Sequence, residues 1–194
     1  RTDEFIVHSY TNGDQGEPDI TPLSDGGFLV TYFGANPDGN VGAGDRSDDY
    51  YEYEVWAQRF DASGSKVGKE FRVNTAVEDT QESPRVTELN NGNLVFVWQS
   101  EPGSDGTTPP AGVTPDNPGD GDRDATVARI FDMSDDTPVA LGDEFVVNTT
   151  TANDQINGDV TALSNGGFVV VWEDESELDG DDDGIAARIF DADG

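Results

Sequence analysis

The chain is 194 residues long and sets 41 Asp and Glu against 10 Lys and Arg, a formal charge of −31. A field of that sign excludes nucleic acid and anionic membrane surfaces as partners, and no run approaches the roughly 18 apolar residues that a membrane insertion requires. The absence of cysteine removes disulfides, iron–sulfur clusters and thiolate zinc sites, and leaves bound calcium as one source of stability for a secreted protein.

In chain order, the first predicted element is EFIV at Glu4, where period-two alternation puts Phe5 and Val7 on one face of a short strand. DITPL supplies a second strand. Asp25-Gly26 follows, a dipeptide that accepts positive φ and predicts a tight two-residue primed turn. GGFLVTYF is the third strand and VWAQRFD the fourth, which puts the four near 4–8, 18–23, 27–33 and 54–61. A short turn through DASGSKVGKEF then leads back to a second EF, and the order begins again.

The second copy reads EFRV, RVTEL, Asn91-Gly92, GNLVFVWQ and TVARIFD; the third reads EFVV, DVTAL, Asn165-Gly166, GGFVVVWE and IAARIFD. Phe5, Phe71 and Phe145 are separated by 66 and 74 residues, and Gln15, Gln81 and Gln155 keep the same two intervals, as do Tyr32, Trp98 and Trp172. Fixed internal periodicity marks a repeat architecture, in which each unit buries its apolar face on its neighbours. The repeats divide the chain into 1–66, 67–140 and 141–194. In the third copy Phe168, Val170 and Trp172 alternate with Val169 and Val171, so the third strand is expected to be covered on both faces. No segment carries helical periodicity with caps.

Three antiparallel four-stranded repeats, with a hairpin across each boundary, predict an all-β chain of β-propeller-like blades. A linear β-repeat stack is the alternative. Propellers close with about four to eight blades, so three copies call for further repeats of the same polypeptide or for identical subunits. The edges at Glu4 to His8 and at Ile185 to Asp191 are expected to pair with such a repeat. The start at Arg1, with no signal-peptide pattern, reads as a mature or excised stretch of a longer polypeptide.

All length variation lies between the third and fourth strands, where the acids are densest. In the third unit Asp179, Asp181, Asp183 and Gly184 form D-x-D-x-D-G, a spacing that converges carboxylates on a tight loop and suits the six to eight oxygens of Ca²⁺. Asp174, Glu175 and Glu177 stand just upstream. The second unit offers Asp120, Asp122 and Asp124; the first offers Asp45 and Asp49 about Ser47, or Asp38 and Asn40. The first insertion also carries Tyr50, Tyr51 and Tyr53, which suit packing on a neighbouring subunit or stacking on a sugar.

The recurring glutamines are expected to satisfy backbone groups at repeat boundaries, the tryptophans of the third strands to be core, and Arg59, Arg129 and Arg188 to pair with nearby acids. His8 stands where the other units have Asn74 and Asn148, and so marks a structural position. One histidine and no cysteine nearly exclude the common base–nucleophile pairs. Paired carboxylates for glycoside hydrolysis are numerically available, but acids in solvated loops lack the desolvated pocket such pairs need. No enzyme activity is expected.

The pattern EFxVNTxTxxDQxxPxVTxLxxGGFVVVWxSxxxDGxxxGIxARxFDxxG resembles the tandem repeat of very large secreted bacterial proteins, including calcium-dependent, RTX-type adhesins. Glu144 to Gly194 carries it most clearly; Glu4-Phe5, Asp14-Gln15, Gly26-Gly27-Phe28 and Arg59-Phe60-Asp61 carry it in the first unit. The RTX nonapeptide GGxGxDxUx is absent. The resemblance implies propeller-like blades and an extracellular, cell-surface location. The expectation is a non-enzymatic structural or adhesive module, with Ca²⁺ in its acidic hairpins neutralising a self-repelling chain. A lectin-like module that binds a glycan through the loop tyrosines is the alternative.

Overall fold

A computed structural model of the chain describes residues 3–11, 13–35, 53–75, 80–101, 124–150, 152–177, 180–181 and 183–194. Every regular element in them is a strand. The first sheet holds β1 (Gln15–Pro22), β2 (Phe28–Ala35), β3 (Tyr53–Phe60) and β4 (Lys66–Arg72), in that spatial order. The second holds β5 (Gln81–Glu88), β6 (Leu94–Ser100) and β7 (Ala125–Asp132), with the two-residue strands β8 (Val139–Ala140) and β9 (Phe145–Val146) both on the outer edge of β7. The third holds β10 (Gln155–Ala162), β11 (Phe168–Asp174) and β12 (Gly184–Phe190). All pairings are antiparallel.

The expectation of four strands in each unit is thus met only by the first sheet. The cause is the EFxV segment, which serves the sheet before it. Phe71 pairs with Ala57 across β3 and β4, yet its ring packs on Phe96 and Phe131 of the second sheet. Phe145 repeats this, pairing with Ala128 and packing on Phe190 of the third sheet. Glu4 to His8 was expected to be a strand and is not one among the described residues. Phe5 still seats on Phe60, 5.4 Å between ring centroids.

The sheets stack face to face in a propeller-like arrangement, with β1 beside β5 and β5 beside β10. Leu29, Val55 and Ala57 of the first sheet meet Val86, Leu94, Phe96 and Trp98 of the second in one core. Val95, Val97, Ala128 and Ile130 on the other face of the second sheet meet Val160, Phe168, Val170 and Trp172 of the third. Each Val, Leu, Ile or Phe side chain among them contributes about 1.5–3 kcal/mol on burial, so the stack rests on these two cores. Double coverage holds for β6, whose six apolar and polar side chains from Leu94 to Gln99 are all buried. It fails for β11, where Val171 is exposed.

The hairpins between the second and third predicted strands use three-residue loops instead of primed turns. The Gly26 amide donates to Leu23 O and the Leu23 amide to Gly27 O, and Asp25 is not at positive φ while Gly26 is, at 91°. That is a type I turn followed by a left-handed glycine, the next commonest hairpin loop. Asp25 accepts the Gly27 amide at 2.7 Å, which holds the turn. A Cβ at Gly27 would lie 2.3 Å from Phe60 O and one at Gly167 2.2 Å from Phe190 O, so the second glycine lets the neighbouring strand approach.

Candidate functional site

A β-bulge recurs at one register in all three inner strands, between Gly16 and Asp19, Glu82 and Arg85, and Ile156 and Asp159. The residues at its centre, Glu17, Ser83 and Asn157, hold positive φ of 46°, 51° and 55°. Side chains seldom tolerate this conformation, and bulges of this kind re-aim side chains. Ser83 Oγ donates to Glu17 Oε2 at 2.8 Å, between the first and second sheets. The Val86 amide donates to Asp19 Oδ2 at 2.9 Å across the same junction. The segments DQGEPDIT, TQESPRVT and DQINGDVT carry no signal for the bulge, because none of the three central residues is glycine.

Beside these bulges, where β6 ends and β7 begins, lies a group of carboxylates. Gln99 Nε2 donates to Asp124 Oδ2 at 2.7 Å and to Glu82 Oε1 at 3.2 Å. The Asp124 amide donates to Asp154 Oδ1 at 3.2 Å, and the Gln155 amide to Asp124 O at 2.9 Å, which ties the second sheet to the third. Burial pushes the Asp124 carboxyl up to about 6, reinforced by the charges of Glu101 and Asp154, with the Gln99 bond opposing. Burial, with Glu101 and Glu17 nearby, also raises Glu82. Water solvates neither carboxylate fully, and each charge raises the cost of the next. These are partly desolvated acids, unlike the solvated loop acids that the sequence suggests.

Of the expected metal ligands, only Asp124 joins this group. Asp181 and Asp183 are exposed in the turn between β11 and β12. Asp179, Asp120, Asp122, Asp45 and Asp49 lie outside the described residues. No group of three or more potential metal-ligating side chains occurs among the described residues. Asp174 is committed elsewhere: it accepts the Trp172 indole N–H at 3.1 Å and the Ser176 amide at 2.9 Å.

Gln15 and Gln155 satisfy backbone carbonyls, as expected, whereas Gln81 bonds an indole and its buried Nε2 has no hydrogen-bond partner among the described residues. Gln155 Nε2 donates to Ala152 O and Asn153 O, and its Oε1 accepts from Asn148. Gln81 Oε1 accepts the Trp98 indole at 2.8 Å. Asn74 and Asn148 cap the third strands of the first two sheets, accepting from the Val55 and Thr126 amides. His8, at the equivalent place, bonds Tyr10 O and meets Tyr32 edge-on. Trp98 and Trp172 are core. Of the arginines, Arg59 pairs with Asp25 at 2.6 Å. Arg129 and Arg188 instead donate to Val73 O and Val147 O, each at 2.8 Å, and lie over Phe131 and Phe190.

Of the tyrosines considered for sugar stacking, Tyr50 and Tyr51 lie outside the described residues. Tyr53 packs on Phe33 at 4.6 Å. A small cleft on the first sheet is lined by His8, Tyr10, Gln15, Tyr32, Trp56 and Glu70, but Glu70 spends one oxygen on both the Tyr32 hydroxyl and the Ser9 amide.

No family model and no curated protein matches this chain. Solved structures do. One is a protein of unknown function from Dyadobacter fermentans DSM 18053, at TM-score 0.61 and 10% identity, over 97% of this chain and 54% of that one. Another is an endo-arabinase from Bacteroides thetaiotaomicron VPI-5482, at TM-score 0.54 and 10% identity, over 94% and 58%. An exo-1,5-alpha-L-arabinanase from a bovine ruminal metagenomic library is more distant, at TM-score 0.42 and 11% identity, over 93% and 76%. The chain spans a little over half the length of the first two, and the likeness is one of fold.

The similarity overturns two expectations, that the chain is no enzyme and that it is a calcium-pinned adhesive module. Its fold is similar to that of an endo-arabinase. The exclusion failed physically because it assumed that every acid sits in a solvated loop, whereas Asp124 and Glu82 are half-buried and share one amide.

Proposed function

We propose that the chain forms successive blades of a β-propeller that hydrolyses a glycan, with Asp124 as its acid–base and Glu82 as its nucleophile. The observation that carries this reading is the Glu82–Gln99–Asp124 group, in which one side-chain amide holds two half-buried carboxylates together. A carboxyl that titrates at about 6 retains a useful protonated fraction near neutral pH, as a general acid must. In the proposed reaction Asp124 gives its proton to the glycosidic oxygen as that oxygen leaves. Glu82 bonds to the anomeric carbon as that bond breaks, and water, giving a proton to the Asp124 carboxylate, then displaces Glu82 from it; one amide bonding both carboxylates keeps them at the close spacing of a double displacement. The strongly negative chain favours a neutral substrate over a uronic-acid polymer. The likeness to an endo-arabinase in fold makes arabinan the first substrate to try.

The test is reducing-sugar release from arabinan and a panel of neutral polysaccharides. Asp124→Asn and Glu82→Gln are each expected to lower the rate about 100-fold or more, with unchanged circular dichroism. A folded protein that cleaves none of them, or one that binds a glycan without cleaving it, overturns the assignment.

A further inference from the structure

Each sheet carries three residues at one equivalent place, where its inner strand begins, its second strand ends and its third begins. In the second sheet these are Glu82, Gln99 and Asp124. Glu82 lies opposite Gln99 across β5 and β6, and Asp124 stands two residues before Thr126, the partner of Gln99 on β7. The same register gives Gly16, Phe33 and Tyr53 in the first sheet, where Gly16 lies opposite Phe33 and Phe33 opposite Val55. In the third sheet it gives Ile156, Glu173 and Asp183. The place that holds the acid pair in the second sheet therefore holds an aromatic pair in the first.

Gly16 makes room for that pair. A Cβ there would stand 2.4 Å from Phe33 Cζ, so the tip of the ring lies directly on the β1 backbone. Phe33 meets Tyr53 at 4.6 Å between ring centroids, with the planes tilted by 48°, and both residues are only half-buried. Period-two alternation puts Phe33 on the face of β2 that holds Leu29, and Leu29 packs in the core against the second sheet. The rings thus lie on the side of the first sheet that the second sheet covers, within the stack and not at either end of it. The hydrogen bond from Ser83 to Glu17 joins the neighbour of Glu82 to the neighbour of Gly16, which holds the two places side by side. Sheets packed face to face are about 10 Å apart, a span that a few linked sugar rings cover.

We propose that Phe33 and Tyr53 form a sugar-binding subsite for the glycan that Glu82 and Asp124 cleave, taking the C–H face of a ring near, but not at, the bond that breaks. The proposal rests on the hydrolytic reading of the acid pair. Aromatic side chains offer a large apolar face with few rotatable bonds to fix. The C–H face of a neutral sugar ring is apolar and uncharged, so the negative field of the chain does not oppose it. A sugar held one sheet away from the acids is bound equally in the ground state and the transition state. Such binding lowers KM and leaves kcat unchanged.

The test is reducing-sugar release against polysaccharide concentration, with arabinan first and then the neutral panel, and with circular dichroism as the check on folding. Phe33→Leu and Tyr53→Leu each keep an apolar side chain for packing and remove one flat ring. Each should raise KM about 10-fold or more, with kcat held at the wild-type value. Retardation in gels that contain the polysaccharide reads binding apart from cleavage, and both variants should lose it. Cleavage with KM unchanged in either variant overturns the subsite, as does a fall in kcat without a rise in KM; both results leave the acid pair standing. A polysaccharide that wild type binds without cleaving, with binding lost in both variants, supports the subsite and removes the acid pair. A wild type that neither binds nor cleaves any of them overturns both.

Discussion

Replacing Asp124 by asparagine keeps an oxygen to accept the Gln99 amide but removes the charge that burial, Glu101 and Asp154 disfavour. The Asp124 carboxyl titrates at about 6 in the folded chain against an ordinary 3.8. Its folded pKa is raised, so its stabilising share is full below about pH 3.8 and is lost as pH rises through 6. A shift of that size corresponds to about 3 kcal/mol. Asp124 is only half-buried, and solvent screening lowers the figure to about 1–2 kcal/mol. At pH 7.5 Asp124→Asn should therefore be more stable than wild type by that amount, about 3–6 °C in melting temperature for a chain of this size. At pH 4 the two should coincide. The assay is thermal denaturation of both proteins from pH 4 to 8, read as a difference so that the relief of the overall charge cancels. An advantage independent of pH, or none at pH 7.5, would refute the electrostatic reasoning.

Further substitutions probe the repeat itself. Gly167→Ala places a methyl 2.2 Å from the Phe190 carbonyl and should cost about 1–3 kcal/mol in chemical denaturation; Gly92→Ala, with open space but φ at 87°, should cost about 1 kcal/mol. Asn148→Ala orphans the buried Thr126 amide and leaves Gln155 Oε1 without its donor. It should destabilise by about 1–3 kcal/mol, measured by urea titration, and an effect below 0.5 kcal/mol, roughly the scatter of surface substitutions, would contradict the capping role. Arg59→Met should lessen the depression of the Asp25 carboxyl, which Arg59 causes first and the Gly27 amide second. That stabilisation is present above the ordinary carboxylate range and is lost as pH falls through the lowered value. NMR titration of Asp25 should accordingly move upward in the variant.

Much of the architecture was legible in one dimension. The in-register copies of EFxV, of the glutamines Gln15, Gln81 and Gln155 and of the turn glycines Gly26, Gly92 and Gly166, with period-two alternation through Phe168, Val170 and Trp172, determined an all-β repeat before any contact was known. Local chemistry did the same for the hairpin positions, because the glycines of Asp25-Gly26, Asn91-Gly92 and Asn165-Gly166 are all left-handed. The loop type was a finer matter: φ at Asp25 depends on how the flanking strands twist, and the dipeptide alone does not set it. The short turn after each fourth strand predicted its hairpin with the following EFxV segment, which the first two sheets form, but only sheet packing gave the phenylalanine of EFxV to the next sheet.

The candidate site was hidden for a different reason. Glu82, Gln99, Asp124 and Asp154 come from separate strands and strand ends, and the chain is so acidic that no count of carboxylates distinguishes them. A carboxylate becomes chemically special through lost solvent and nearby like charge, and both depend on which strand ends converge. Residue order therefore determined the strands, their repetition and the apolar faces that must be covered. The stacking of the sheets alone decided which acids became desolvated neighbours. Burial and proximity between distant residues are properties of the packed chain, and local sequence does not encode them.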